Sequence, residues 1–300
     1  MSAESPRSRP SNSATIWVAL TLFASAAEPL IVKFAYQASA SPVHLTVLKL
    51  IFGGLFIAPI YRQMRWIGRD GLKQIVLPSA LYISTYGLIY WALVTMPASS
   101  VITIISGTPA RVALINQRRG LEQSTLKFWL GVLACFIGIL LTIGALENDF
   151  GTSSYLGALL ALGSVVTSAL YRTRMDKLTK KIPPIVVSGY LFGFNTLAGL
   201  LALPFILPIP SSTVPVALVT GLIAAVANVA FLSALSLVGS TRISVLTALQ
   251  RPIVVITAAL ILAEPISPLQ VVGIVLVLAG VQMAKVVPKS AVRLPQSKVA

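Results

Sequence analysis

Apolar residues run in long blocks along this chain, and short polar segments punctuate them at nearly even intervals. Ten blocks reach spanning length, near residues 15–37, 43–61, 75–95, 99–117, 128–146, 155–172, 184–207, 214–235, 241–263 and 268–287. About 20 helical residues cross the ~30 Å hydrocarbon layer of a bilayer, so each block predicts one transmembrane helix. Inside lipid a backbone has no water to bond, and a helix satisfies its own polar groups. The pattern therefore predicts an all-α integral membrane protein of ten transmembrane helices. The segment before the first block, residues 1–14, is polar and rich in Ser and Pro, which predicts a disordered N-terminus. Residues 288–300 predict a basic tail.

Composition agrees with the pattern. The chain is 56% hydrophobic and 10% charged, with mean hydropathy +0.88, whereas soluble domains carry about 25% charged residues. Many more spans follow the first block, so no removed signal peptide is expected. A net charge of +15 resembles a nucleic-acid signature until the positions are read. Arg62, Arg65, Arg69 and Lys73 follow the second block, and Arg118, Arg119 and Lys127 follow the fourth. Arg172, Arg174, Lys177, Lys180 and Lys181 follow the sixth; Lys285, Lys289, Arg293 and Lys298 follow the tenth. The opposite connections hold Glu147 and Asp149, or Glu264, or no charge at all. By the positive-inside rule both termini lie in the cytoplasm, in a bacterial-type inner membrane, and the basic residues need no nucleic acid to explain them. One cysteine, Cys135, and one histidine, His44, exclude a disulfide framework within the chain and a Cys/His metal cluster. The motifs HExxH, GxxxxGK[ST] and GxSxG are missing, so neither an enzyme nor a bound cofactor is expected.

The chain repeats itself. Glu122, Gly131 and Gly138 recur 142 positions later as Glu264, Gly273 and Gly280, and Pro109 recurs as Pro252 after 143. VALTLFAS at 18–25 resembles GALLALGS at 157–164. Two halves of five spans follow, residues 15–150 and 151–287. An odd number of spans per half inserts the second upside down relative to the first, an arrangement that places a solute site near midplane in secondary transporters.

AEPIS at 263–267 follows a long apolar helix with a mid-span proline and precedes a last helix with spaced glycines. With the span count, repeat and charge pattern, this resembles the drug/metabolite transporter superfamily, closest to its EamA-like branch. The likeness runs from about Ile16 to Lys285. It implies a ten-helix carrier of a small metabolite, commonly an exporter. The chain departs from the branch at QRRGLEQS, where Glu122 is kept without a following proline or arginine. It departs again at Phe23-Ala24, where Trp-Gly is common, and at Lys49, where arginine is common.

Four charges fall within roughly 5 Å of the middle of their spans at 1.5 Å per residue: Glu28, Lys49, Arg111 and Arg251. Their combined insertion cost is roughly 10–14 kcal/mol, which demands partners, water or solute. Three are positive and one is negative, and the surplus suits an anionic solute group held by guanidinium forks. Glu28 either pairs with Lys49 or carries a coupled proton, while Lys49 has the alternative of snorkelling to the outer interface. Arg111 and Arg251 have the alternative of capping carbonyls freed by Pro109 and Pro252. Lys33 and Arg172 stand at span ends and read as interfacial anchors. Ser244, Thr247 and Gln250 accompany Arg251, and Thr108 accompanies Arg111, as polar cavity lining. Tyr82, Tyr86 and Tyr90 recur every four residues and offer an aromatic face, Tyr90 more as packing. Asn195 and Asn228 are mid-span amides, serving either a cavity or helix contacts. The expected activity is alternating-access export of a small metabolite with an anionic group, an amino acid or organic acid. The alternatives are a phosphate-ester or nucleotide-sugar exchanger of the same superfamily, or a non-transporting scaffold or sensor.

Overall fold

The computed structural model describes residues 12–37, 39–62, 64–105, 107–118, 126–142, 152–240, 243, 247, 260 and 267–283. Every regular element among them is helical. In chain order these are α1 (Asn12–Gln37), α2 (Pro42–Tyr61), α3 (Gly68–Thr95), α4 (Ala98–Ile105) and α5 (Thr108–Arg118). There follow α6 (Leu126–Thr142), α7 (Thr152–Thr179), α8 (Pro184–Ala202) with a 3-10 turn at Leu203–Ile206, α9 (Thr213–Val238) and α10 (Pro268–Met283). Among the described residues, six helices are long and apolar enough to cross a membrane, and the apolar α6 and α10 are shorter. Most of the predicted ninth span lies outside the described residues, although Ile243, Thr247 and Leu260 within it are helical.

The fourth predicted span is broken into α4 and α5, and its proline explains why. Pro109 has no N–H to give the carbonyl of Ile105. The Thr108 hydroxyl donates to that carbonyl instead, at 2.6 Å. The helix restarts as Arg111 N–H donates to Gly107 O at 3.3 Å.

The packing carries the repeat into three dimensions. α1 lies along α9 and α3 along α7, which exchange when the halves are exchanged; α2 lies along α8, its own counterpart. Along the α2–α8 contact Val47 faces Gly199 and Met64 faces Gly189, so the counterparts run antiparallel. The same holds where α6 crosses α10. A Cβ on Gly138 would lie 2.6 Å from Gly273 O, and one on Gly280 would lie 2.5 Å from Gly131 O. These two contacts are one contact seen from each half. Between them the Cys135 thiol faces Val277 O at 3.5 Å, two positions 142 residues apart. A pseudo-two-fold axis passing there, across the helices, inverts one half relative to the other.

Apolar side chains also cover the outside. Phe23, Phe136, Leu159 and Leu201 are all more than half exposed, as a lipid-facing surface requires. Within the protein, one buried cluster gathers around Leu45, Tyr90 and Ile102, and another around Ile57, Tyr82 and Phe192. Tyr86 packs against both. The cavity opens at that junction.

Candidate functional site

A cavity of about 130 Å³ lies among α1, α3, α7, α9 and the ninth span. From α1 it takes Thr21 and Glu28, from α3 Tyr82, Thr85, Tyr86 and Tyr90, from α7 Ser168, Tyr171 and Arg172. α9 adds Asn228 and Phe231, and the ninth span adds Thr247.

One wall is cationic. The Arg172 Nη1 group donates to Thr247 Oγ1 at 3.1 Å, and its guanidinium carbon stands 5.0 Å from the centre of the Phe231 ring. A ring face attracts a guanidinium electrostatically, so both contacts help to orient it. Beside it Asn228 Nδ2 donates to the Tyr171 hydroxyl at 2.8 Å, and Ser188 donates to Asn228 Oδ1 at 3.3 Å. The amide is thereby fixed from both ends.

The other wall is a buried ion pair. Lys49, 1% exposed, reaches from α2 and donates to Glu28 Oε1. The same oxygen accepts the Tyr90 hydroxyl at 2.8 Å. The ammonium lies 3.2 Å from the centre of the Tyr86 ring, with Tyr90 at 5.2 Å and Tyr82 at 6.0 Å. Lys49 therefore does not snorkel; its charge is held inside by one carboxylate and three ring faces.

The expected site residues separate into three groups. Glu28, Tyr82, Tyr86, Asn228 and Thr247 line the cavity, with Lys49 directly behind Glu28. Arg111, Thr108 and Asn195 do not. Thr108 serves the α4–α5 break, and Arg111 on α5 has its buried Nε without a hydrogen-bond partner among the described residues. Asn195 on α8 is fully buried, with both amide atoms unpartnered among the described residues. Ser244, Gln250 and Arg251 lie outside the described residues.

Arg172 is the residue that sequence reasoning misplaced. The apolar block ends at 172, but α7 continues to Thr179, so Arg172 sits seven residues, about 10 Å, inside the helix. The signal was present in Tyr171, Met175 and Leu178, whose i, i+4, i+7 spacing carries one buried face through the basic segment. The repeat offers a second signal. At the 139-residue offset relating VALTLFAS to GALLALGS, Arg172 corresponds to Lys33. Arg172 faces the cavity rather than standing as an interfacial anchor. Lys33 Nζ donates to Leu93 O at 2.9 Å and Met96 O at 3.1 Å, placing a cation on the C-terminal carbonyls of α3. The two halves thus place a cation at corresponding positions and use it differently.

No curated protein matches the chain. Among the solved structures, 29 chains match. One, described only as "Crystal structure of protein", is 18% identical over 91% of this chain and 96% of its own, with a TM-score of 0.60. That likeness concerns the fold. The family model for the EamA-like transporter family matches residues 12–144 and 155–284, one match on each half of the repeat. A polar, ionic cavity at the junction of two inverted helical halves fits that assignment, and the chain belongs to the EamA-like transporter family, multi-pass membrane transporters of the drug/metabolite transporter superfamily.

Proposed function

We propose that this protein exports a small metabolite carrying an anionic group, an amino acid or organic acid, by alternating access across a bacterial-type inner membrane. Ten transmembrane helices form two inverted halves, 15–150 and 151–287, with both termini in the cytoplasm. The observation that carries this reading is Arg172, a guanidinium in the cavity wall steadied by Thr247 and Phe231. A guanidinium presents a fork of donors that matches a carboxylate, and in a low-dielectric site such a contact is worth more than in water. The neighbouring Asn228 and Tyr171 supply further polar contacts for the same solute. Size supports a small molecule over a nucleotide sugar. A cavity of about 130 Å³ lies below the ~300 Å³ at which drug-sized pockets begin.

The test is a panel of anionic, zwitterionic and cationic metabolites offered to purified protein in proteoliposomes, with Arg172→Gln as control. Uptake or counterflow of a carboxylated metabolite by the wild type, reduced at least about 100-fold by Arg172→Gln, is expected from losing a charged hydrogen-bond partner worth several kcal/mol. Equal transport by Arg172→Gln would remove the anionic assignment. Exchange-only kinetics with phosphorylated sugars would move the reading to a phosphate-ester exchanger.

A further inference from the structure

The Lys49 ammonium rests where a ligand would. Three tyrosine rings, Tyr82, Tyr86 and Tyr90, face it from one helix, and the Glu28 carboxylate faces it from another. Ring faces around a cation, closed by a carboxylate, form the arrangement by which proteins recognise organic ammonium groups. Two features place this cage next to the solute. All four cage residues line the cavity, whereas Lys49 does not. Glu28 spends one oxygen, Oε1, on both Lys49 and Tyr90.

We infer that Glu28, Tyr82, Tyr86 and Tyr90 form a binding site for a primary alkylammonium ion, and that Lys49 is its tethered occupant, excluding cationic solutes from the cavity. The chemistry is specific in size. Replacing Lys49 by alanine keeps Cβ and removes three carbons and the ammonium, which together are propylammonium. The vacated space is enclosed by the same rings and carboxylate. Charge follows the same logic. With Lys49 in place the named ionic groups of the site, Glu28, Lys49 and Arg172, carry one negative and two positive charges. Without Lys49 the Glu28 carboxylate loses its ion-pair partner and is left to an incoming cation. Lys49 is therefore a residue that sets charge selectivity. The consequence for transport rests on the reading of the cavity as the solute site; the cage itself rests only on α1, α2 and α3.

The experiment is chemical rescue in purified full-length protein. Lys49→Ala should show a saturable rise in Tm with propylammonium chloride that sodium chloride at equal ionic strength does not produce. Wild type should not respond. Adding Glu28→Gln to Lys49→Ala should weaken propylammonium binding about tenfold or more, the scale of a desolvated cation contact. In proteoliposomes Lys49→Ala should take up propylammonium at least about tenfold faster than wild type, by the same contact. Should Lys49→Ala fold poorly, Lys49→Ser and purification in propylammonium provide the second route. A folded variant indifferent to propylammonium overturns the cage, as does an equal response from wild type or from the double variant. Failure of both variants to fold even in propylammonium also counts against it. Rescue of Tm without propylammonium uptake retains the cage and overturns the exclusion role. The Arg172→Gln result bears on the anion reading alone, so the two ideas fail separately.

Discussion

At the scale of single residues, the Glu28–Lys49 pair buries two opposite charges within the described helices. Two charges taken from water are tolerable together because each answers the other, with the Tyr90 hydroxyl adding a hydrogen bond to the carboxylate and the Tyr86 ring a face to the ammonium. Removing one partner strands the other. Lys49→Met and Glu28→Gln are each expected to cost about 3–5 kcal/mol, while the double variant should recover much of that loss because neither charge remains buried. Thermal unfolding of all four forms in detergent, read as a double-mutant cycle, checks this; additive losses would mean that the pair is not coupled. The sequence made the pair legible as a candidate, since a lone carboxylate and a lysine stood at similar depth in adjacent spans. It could not show the tyrosines turning toward the ammonium. Their i, i+4 spacing fixed a common face but not which neighbour that face would meet.

Elements were legible where hydropathy alone decides them. Six of the predicted spans overlap α1, α2, α6, α8, α9 and α10 closely, and α3 contains its span but begins seven residues earlier, because a bilayer-length apolar run has few other ways to satisfy its backbone. Two elements differ for identifiable reasons. Pro109 splits the fourth span, and Thr108 supplies the donor that proline lacks. α7 outlasts its apolar block because its buried face continues as Met175 and Leu178 beneath an exposed basic face of Arg174 and Lys177. That extension is what carried Arg172 inward. Element packing yields its own prediction at the α6–α10 crossing, where backbones meet without side chains between them. Gly280→Val would drive carbons into Gly131 O and Cys135 N, which a Cβ alone would meet at 2.5 and 2.7 Å. A backbone obstacle cannot rotate away, so folded yield in detergent is expected to collapse. Gly87→Ala in α3 meets nothing within 4 Å and should be neutral or slightly stabilising, by up to about 1 kcal/mol. Equal yields from the two variants would contradict the close crossing.

At the scale of the whole molecule, the pseudo-two-fold relation and the charge pattern make one joint demand on orientation. The relation alone says that the two halves are inverted, not which side of the membrane either faces. Charge selects the side. The segment after α2 carries Arg62, Arg65, Arg69 and Lys73, and the end of α7 carries Arg174, Lys177, Lys180 and Lys181. The segment 207–212 between α8 and α9 carries none. The positive-inside rule predicts the first two inside and the third outside, as in the proposed orientation. One helix of spanning length, α8, separates Lys181 from Ser211, so a single crossing between them is expected. Arg65, Lys181 and Ser211 are all exposed, so a cysteine at any of them can react when the reagent reaches its side. In a Cys135→Ala background, Ser211→Cys should react with a membrane-impermeant maleimide on intact cells. Arg65→Cys and Lys181→Cys should react only after the membrane is opened. Arg65→Cys and Lys181→Cys reacting on opposite sides would break the inverted pairing, because in the proposed ten-span arrangement the crossings of α3, the α4–α5 span, α6 and α7 return the chain to the side it left. Both reacting from outside would keep the pairing and reverse its orientation, placing the termini outside and turning the direction of the proposed transport around with them.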